Sequence, residues 1–241
     1  MMSAFSSIYL EKDLEVRRLL AGVKCPAVER VGELLAKSRG EDLALSELAE
    51  LLEIGAVAEA GGPQFALLRA FTETEYRRAD GNRVRYVAPI YVSSHCIDTC
   101  GYCNFSANRK ATVRRRLSLE ELDAEVETVM SRDARAIELV YATDPEFTLD
   151  LLVRYTARVA EALHDEPGSG VLLCTEYLSA EAYEALADAG LWGMVQWDET
   201  LDRGEYNRWH ASSPHKREFI ARMDTHDRAL AAGLEVATGA L

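Results

Sequence analysis

Cysteines, basic residues and long hydrophobic runs are all scarce in this sequence. It has five cysteines, three of them clustered, which fits a reducing cytoplasm better than a disulfide-stapled secreted scaffold. Asp and Glu outnumber Lys and Arg by 40 to 27, and the net charge of −13 argues against general affinity for nucleic acid or anionic membranes. No apolar stretch reaches the about 18 residues of a membrane span, and the N-terminus lacks the hydrophobic segment of a signal peptide. We therefore expect a cytoplasmic protein, and its 48% hydrophobic content supports a large core.

The first part of the chain, residues 1–80, is predicted to be a helical N-terminal extension. Its apolar residues recur at helical spacing, and proline and serine stand where helices commonly begin. We find no functional motif in it. The predicted helices cover 7–20, 26–38, a segment capped by Ser46, and 63–79.

The second part, residues 81–241, alternates between short apolar runs and helical patterns. This alternation predicts an α/β domain in which parallel strands are joined by helices, and such a sheet can curl into a (β/α) barrel. A complete barrel has eight strands and about 250 residues. The pattern here supplies about five strands, so we expect a truncated barrel with an open edge that invites pairing with another chain. The predicted strands are 84–92, 136–141, 171–175, 192–196 and 234–238, and the predicted helices are 118–130, 148–163, 179–189 and 214–232.

Three cysteines directly follow the first predicted strand. Cys96, Cys100 and Cys103 are spaced C-x3-C-x2-C, and a loop after a barrel strand is where active sites form. A disulfide framework favours an even number of cysteines, and a structural zinc site needs four ligands. Three soft ligands suit a [4Fe–4S] cluster with one iron left open. Two alternatives remain: buried cysteines without a ligand role, or a zinc site completed by His95 or a distant residue.

Two blocks of residues, in the same order along the chain, carry a family resemblance. They are Ala88-Pro89-Ile90-Tyr91-Val92-Ser93 and Cys103-Asn104-Phe105-Ser106 around the cysteines, then Gln196-Trp197-Asp198-Glu199-Thr200, Tyr206, His210, Pro214, Lys216, Phe219, Arg222, Asp224, Arg228, Ala231 and Gly233. The cysteine motif, with Tyr102 before its third cysteine, resembles the signature of radical S-adenosylmethionine enzymes. Both blocks together resemble the aromatic amino-acid lyase branch, which holds 2-iminoacetate synthase of thiazole biosynthesis, the tyrosine lyase of hydrogenase maturation, and tryptophan lyases.

The resemblance implies a cofactor pair and a reaction. Cys96, Cys100 and Cys103 are expected to hold three irons of a [4Fe–4S] cluster, while S-adenosyl-L-methionine chelates the fourth. In this family one electron splits the sulfonium–C5′ bond, and the resulting 5′-deoxyadenosyl radical takes a hydrogen from the amino group of the substrate. Cleavage of tyrosine to 2-iminoacetate and p-cresol is the favoured reaction, and a tryptophan lyase-like or other radical reaction is the runner-up. An alternative of another class is an incomplete half-barrel that binds a cluster and acts as a partner subunit.

The same resemblance assigns cofactor contacts. Tyr102 is expected beside the adenine, with simple loop packing as the alternative. The family has a Gly-Gly-Glu-like turn after strand two that binds the methionyl amine. Its glutamate is missing here, so Thr143 or Asp144 is expected to replace it.

Four residues of the second block are further site candidates. Gln196 is expected to contact the cofactor from the end of strand four, where barrel enzymes place working groups. Glu199 is expected to contact the ribose or to orient the substrate, and a loop salt bridge is its alternative. Tyr206 and His210 are spaced four residues apart on a helix or turn. They are catalytic candidates, although a structural His210 is the simpler interpretation.

A basic segment follows the cysteines and suggests an electron donor. Between residues 104 and 117 there are five basic residues and no acidic one. We expect either a solvated loop or a landing patch for an acidic flavodoxin or ferredoxin. A thiazole synthase or a complementary chain is a further possible partner. The basic residues are Arg109, Lys110, Arg114, Arg115 and Arg116.

Overall fold

The computed structural model describes residues 4–57, 61–81, 86–164 and 168–240. By contact density the chain forms two compact units, Ser7–Val84 and Arg85–Leu241, and the second also includes Met1–Ser6. Some predicted features fall outside the described residues. These are the start of the first predicted strand at Val84 and Arg85, the turn residue Asn82, the helix-ending Pro167, and Leu241.

The smaller unit is helical, as its sequence pattern predicts. Its small core contains Val31, Leu35 and Ile54, all buried. The helix predicted to be capped by Ser46 instead begins at Leu45, because the Glu47 side chain accepts a hydrogen bond from the Ala44 amide at 2.8 Å. Ser46 therefore lies inside the first turn, and its predicted capping role is wrong. The helices are α1 (Ala4–Gly22), α2 (Val28–Lys37), α3 (Leu45–Val57) and α4 (Pro63–Asp80).

The larger unit is built on a five-stranded sheet in the order β1-β2-β3-β4-β5, with every neighbouring pair parallel. Helices connect the strands, so the predicted α/β class and its strand count are confirmed. The strands are β1 (Val87–Ser93), β2 (Ala136–Tyr141), β3 (Gly170–Cys174), β4 (Leu191–Glu199) and β5 (Glu235–Ala240). The helices are α5 (Leu119–Met130), α6 (Leu149–Leu163), α7 (Ala180–Asp188), α8 (Arg203–His210), α9 (Phe219–Met223) and α10 (Thr225–Ala231).

The main core lies between the sheet and the connecting helices. Alternate residues of β2, Ile137, Leu139 and Tyr141, join a cluster of buried side chains from α5, α6 and α7. The predicted capping box at Ser118 is present, since its hydroxyl accepts from the Glu121 amide and the Glu121 carboxylate accepts from the Ser118 amide. Packing on this face leaves the carboxyl ends of the strands free to build a site. Among helices in the described ranges, none combines the length and apolar character needed to cross a membrane.

Most elements begin or end within three residues of their predicted bounds, and two of the differences bear on the site. The helix predicted over 214–232 begins only at Phe219 and is divided into two short helices, α9 and α10. Its late start follows from the amides of His215 and Lys216, which bond to the Asp98 carboxylate. Strand β4 runs beyond Gln196 to Glu199, because β5 pairs with it that far. Glu199 has a φ of 66°, so the chain turns sharply there.

Candidate functional site

A cavity of about 340 Å³ opens at the carboxyl ends of β1 to β4. All three motif cysteines line it, together with Tyr102, Thr143 and Glu199 from the predicted set. Asp144, Gln196, Tyr206 and His210 from that set do not. A larger depression of about 610 Å³ lies between α5 and α6, but its lining contains no cysteine or histidine. The remaining lining residues of the first cavity are Tyr91, Asp98, Phe105, Val140, Tyr141, Ala142, Cys174, Thr175, Glu176, Trp197, Lys216 and Arg222.

The cysteine loop is held in a set of short turns. The Cys103 amide donates to the Cys100 carbonyl at 3.3 Å, and the Phe105 amide points to Cys103 Sγ at 3.3 Å. Cys100 is buried, whereas Cys96 and Cys103 are half-buried. Burial raises the pKa of the Cys96 and Cys100 thiols. Their thiolate forms therefore need a positively charged partner such as iron.

The donor set fits a cluster better than a single ion. Within the described ranges, no three Cys, His, Asp or Glu side chains converge closely enough to hold one metal ion. The thiolates of a cubane bind three different irons, so they surround the cluster without meeting at one point. His95, the alternative fourth ligand for zinc, does not line the cavity. Cys174 does line it, so the cavity holds a fourth thiol. The three motif thiols supply the ligand number that a cluster with one open iron requires.

Asp98, inside the cysteine motif, fastens the loop to two other segments. Its Oδ1 atom accepts hydrogen bonds from the amides of His215 at 3.0 Å and Lys216 at 3.1 Å. Its Oδ2 atom accepts from Thr143 Oγ1 at 2.7 Å. Because Asp98 is 1% exposed, these bonds to a charged acceptor contribute about 1.5–3 kcal/mol each. Thr143 therefore lines the cavity with its hydroxyl already engaged.

Asp144 lies at the end of β2 but faces away from the cavity. Its buried carboxylate accepts from Arg116 Nε at 2.6 Å and Nη2 at 2.8 Å, and from Ser93 Oγ at 2.5 Å. Burial alone raises the pKa of Asp144, but the hydrogen bonds from Arg116 and Ser93 outweigh it and hold that pKa below the usual range. The carboxylate is thus charged and satisfied by the chain itself.

Arg114, another residue of the basic segment, also turns inward. Its guanidinium donates to the carbonyls of Ser94 at 2.7 Å, Phe105 at 2.9 Å and Ser106 at 2.8 Å. Arg114 therefore stabilises the loop that carries the cysteines, as a structural cation.

Tyr102 is held in place by a hydrogen-bonded chain behind the cavity. The distance from Tyr102 OH to His210 Nε2 is 2.7 Å, and that from His210 Nδ1 to the Tyr206 carbonyl is 2.7 Å. Burial lowers the pKa of His210 to about 4, so the ring is neutral. Because a carbonyl only accepts, Nδ1 carries the proton and Nε2 accepts from Tyr102. Tyr206 continues the chain by donating to the Lys216 carbonyl at 2.5 Å. His210 and Tyr206 thus position Tyr102.

Two buried pairs form the wall beneath β4. Lys216 Nζ is paired with Glu199 Oε1 and lies 5.6 Å from the centroid of the Tyr102 ring. The Arg222 guanidinium, 4% exposed, donates to the Trp197 carbonyl at 2.5 Å. With its amide oxygen turned towards Arg222, the buried Gln196 accepts from the same guanidinium. Gln196 thus supports Arg222, and Arg222 is the member of this pair that lines the cavity.

Several lining residues had no predicted role. Asp98 stands between two motif cysteines, but a carboxylate in a loop gives no signal until its amide partners are known. Glu176 follows β3 at the same sheet edge as the residues singled out on β4, so the strand-end rule points to it as well. Lys216 and Arg222 belong to the second block, although that pattern assigned them no role.

Comparison with known proteins identifies partial sequence relatives, while no family model matches the chain. The chain is 30% identical over 166 residues to 2-iminoacetate synthase of Escherichia coli (strain K12), covering 68% of this chain and 42% of that protein. It is 27% identical over 169 residues to 2-iminoacetate synthase of Salmonella typhimurium, with the same coverage of 68% and 42%. The chain thus spans less than half the length of the curated relatives it matches. These matches confirm the resemblance inferred from the motifs.

Solved structures share the fold over nearly the whole chain. Crystal structures of HydG, a maturase of the [FeFe]-hydrogenase, match with a TM-score of 0.84 at 24% identity, covering 97% of this chain and 51% of that chain. HydG from Carboxydothermus hydrogenoformans gives 0.74 at 24% identity, covering 97% and 52%. Methylornithine synthase (PylB) gives 0.72 at 19% identity, covering 88% and 58%. The predicted fold class is confirmed, and the chain corresponds to about half of each of these proteins.

Proposed function

We propose that this chain, a relative of the radical S-adenosylmethionine enzymes of the aromatic amino-acid lyase branch, binds a [4Fe–4S] cluster and S-adenosyl-L-methionine to cleave an aromatic amino acid. Tyrosine, giving 2-iminoacetate and p-cresol, is the preferred substrate, because both curated relatives are named 2-iminoacetate synthase. The observation that carries the proposal is that Cys96, Cys100 and Cys103 line one cavity with Tyr102 at the carboxyl edge of the sheet.

The residues of the chain would hold and orient the reactants. Cys96, Cys100 and Cys103 would bind three irons as thiolates. When bound and reduced, the cluster and its cofactor supply a 5′-deoxyadenosyl radical. Tyr102, oriented by His210, would offer its ring to the adenine.

The second block would hold the polar parts of the cofactor and the substrate. Glu199, paired with Lys216, would accept from the ribose hydroxyls or from the substrate. Gln196 would act through Arg222, whose guanidinium reaches the cavity. Tyr206 would act through His210. Thr143 is the one of the two candidates after β2 that lines the cavity, so we propose it, ahead of Asp144, as a cofactor contact.

A second candidate function follows from β5. Its residues are mostly exposed, and among the described strands it pairs only with β4. An exposed parallel edge favours the addition of another strand. The chain would then be a cluster-binding half-barrel that works with a complementary polypeptide. Tryptophan cleavage or another radical reaction is the alternative within the enzyme class.

Electron supply would come from an acidic flavodoxin or ferredoxin in the cytoplasm. Arg114 is engaged inside the loop, Arg116 pairs with Asp144, and Arg109 donates to the Cys103 carbonyl at 3.0 Å. The docking patch therefore narrows to Lys110 and Arg115, which are exposed. A thiazole synthase, which would use 2-iminoacetate, is a further proposed partner.

The test is an anaerobic product analysis. Reconstituted protein is incubated with dithionite, S-adenosyl-L-methionine and either tyrosine or tryptophan, and products are identified by mass spectrometry. The proposal expects 5′-deoxyadenosine and methionine, together with p-cresol from tyrosine. 5′-Deoxyadenosine without any substrate fragment favours the half-barrel function. If the wild type forms no more 5′-deoxyadenosine than the Cys100→Ala variant, the proposed radical chemistry is wrong.

A further inference from the structure

Glu176 brings an acidic group into the cavity with one oxygen left without a donor. It lies two residues beyond β3, at the same sheet edge as the cysteine loop. Its Oε2 atom is shielded from solvent and has no hydrogen-bond partner in the described part of the chain. His215 Nδ1 is 3.0 Å from this oxygen but lacks the alignment of a hydrogen bond, and it is likewise unpartnered there. A buried carboxylate oxygen without a donor is costly, so this corner suits a donor that a ligand brings.

The other charged groups on the cavity wall are already engaged by the chain. Asp98 accepts three hydrogen bonds, from Thr143 and from two backbone amides. Glu199 is paired with Lys216, and Arg222 donates to the Trp197 carbonyl. Glu176 Oε2 has His215 Nδ1 nearby but accepts no hydrogen bond in the described part of the chain, so it can still accept one from an incoming cation.

The position of Asp144 strengthens this assignment. The resemblance calls for a carboxylate near the end of β2 to bind an amine, but Asp144 is enclosed by Arg116 and Ser93 and does not line the cavity. The neighbouring strand β3 ends in Thr175 and Glu176, which do line it. The carboxylate available at this edge therefore follows β3, not β2.

The electrostatic surroundings of Glu176 suit a cationic ligand. Burial raises the pKa of Glu176, and the Asp98 charge acts in the same direction, whereas His215 and Arg222 lower that pKa. A positive group placed against the carboxylate would favour its charged form and satisfy the buried oxygen. Tyr177 packs its ring at 5.8 Å from that of His215, which fixes the imidazole beside Glu176.

We propose that Glu176, oriented by His215, is the carboxylate that receives the α-ammonium group of an amino-acid ligand in this cavity. The inference rests on the proposed function and refines it. An ammonium offers three N–H donors, which match an unpartnered carboxylate oxygen. The substrate amino acid and the methionyl part of S-adenosyl-L-methionine both carry such a group, and the experiment separates them.

The experiment measures binding, not turnover. Equilibrium dialysis compares tyrosine with 3-(4-hydroxyphenyl)propanoate, which lacks the amino group, and S-adenosyl-L-methionine with its deaminated 2-oxo analogue. The wild type is expected to prefer the ammonium-bearing member of at least one pair. Glu176→Gln should reduce that preference by about 10-fold or more, the effect of one charge-assisted hydrogen bond. Glu184→Gln, an equal charge change on the exposed face of α7, should leave the preference unchanged.

Each outcome has a distinct meaning. A loss confined to the tyrosine pair assigns the subsite to the substrate, and a loss confined to the other pair assigns it to the cofactor. The proposal is overturned if Glu176→Gln keeps the wild-type preferences, or if the wild type has none. Iron and sulfide are counted on the same samples, and these counts test the proposed function separately. Dialysis of tyrosine is also repeated on cluster-free protein. Should Glu176→Gln fail to fold, Glu176→Asp decides: a reduced preference supports the proposal and an unchanged one overturns it.

Discussion

Replacing Asp98 by alanine is expected to loosen the cysteine loop and to lower the stability of the α/β unit. The substitution removes the acceptor for Thr143 Oγ1 and for the amides of His215 and Lys216. The Thr143 hydroxyl can rotate to another acceptor, but the two amides lose theirs at about 1–3 kcal/mol each. The summed loss of about 4 kcal/mol corresponds to a decrease in Tm of roughly 8–16 °C for a unit of this size.

Asp98→Asn is the matched control. Its amide oxygen can still accept from both backbone donors, and the Thr143 hydroxyl can accept from its NH₂ group. The variant therefore keeps all three hydrogen bonds and loses only their charge assistance, so its Tm should fall by less than that of Asp98→Ala. Thermal unfolding followed by circular dichroism and iron content after reconstitution provide the two readouts. If Asp98→Ala melts together with the wild type and retains as much iron, Asp98 does not fasten the loop as described.

Three further predictions concern the neighbouring groups. His210 has a pKa near 4 in the folded chain and about 6.5 when unfolded. Its neutral form therefore contributes stability that is complete above pH 6.5 and falls as the pH drops towards 4. Between pH 7.5 and 5, the free energy of unfolding should therefore fall by about 2 kcal/mol less in His210→Asn than in the wild type. An unchanged pH profile would contradict a neutral buried ring. Charge reversal at Lys110 and Arg115 should slow reduction by flavodoxin, less so at high salt, but not by dithionite. Arg132→Glu serves as the exposed control, and equal slowing by both reductants would indicate damage to the cluster. Tyr102→Phe should keep the cluster and weaken S-adenosyl-L-methionine binding only slightly, whereas Tyr102→Ala should weaken it about 10-fold, and equal affinities would argue against ring contact with the adenine.

Much of the fold follows from local patterns in the sequence. The capping box at Ser118 and the alternation of apolar runs with helical segments predict elements that depend on nearby residues. The helix predicted over 214–232 fails for the opposite reason. Its first turn is taken over by Asp98, which is more than a hundred residues away along the chain. A long-range hydrogen bond of this kind leaves no trace in hydrophobic spacing.

The candidate site also has features that local sequence predicts and features that depend on the fold. Three cysteines at this spacing can be recognised from the sequence, because ligand chemistry restricts both residue type and separation. The orientation of a carboxylate does not follow from its position: Asp144 faces Arg116, whereas Glu176 faces the cavity. For the same reason spacing does not separate the five basic residues, although Arg109 and Arg114 donate within the loop and Arg116 pairs with Asp144.

Counting iron and sulfide on anaerobically reconstituted protein tests the central claim most directly. Three thiolates around an open cubane predict about four iron and four sulfide per chain. Replacing Cys96, Cys100 or Cys103 by alanine should each abolish the broad visible absorbance, whereas Cys25→Ala and Cys174→Ala should retain it. Stoichiometric zinc without sulfide, or a cluster that survives loss of any motif cysteine, would contradict the account.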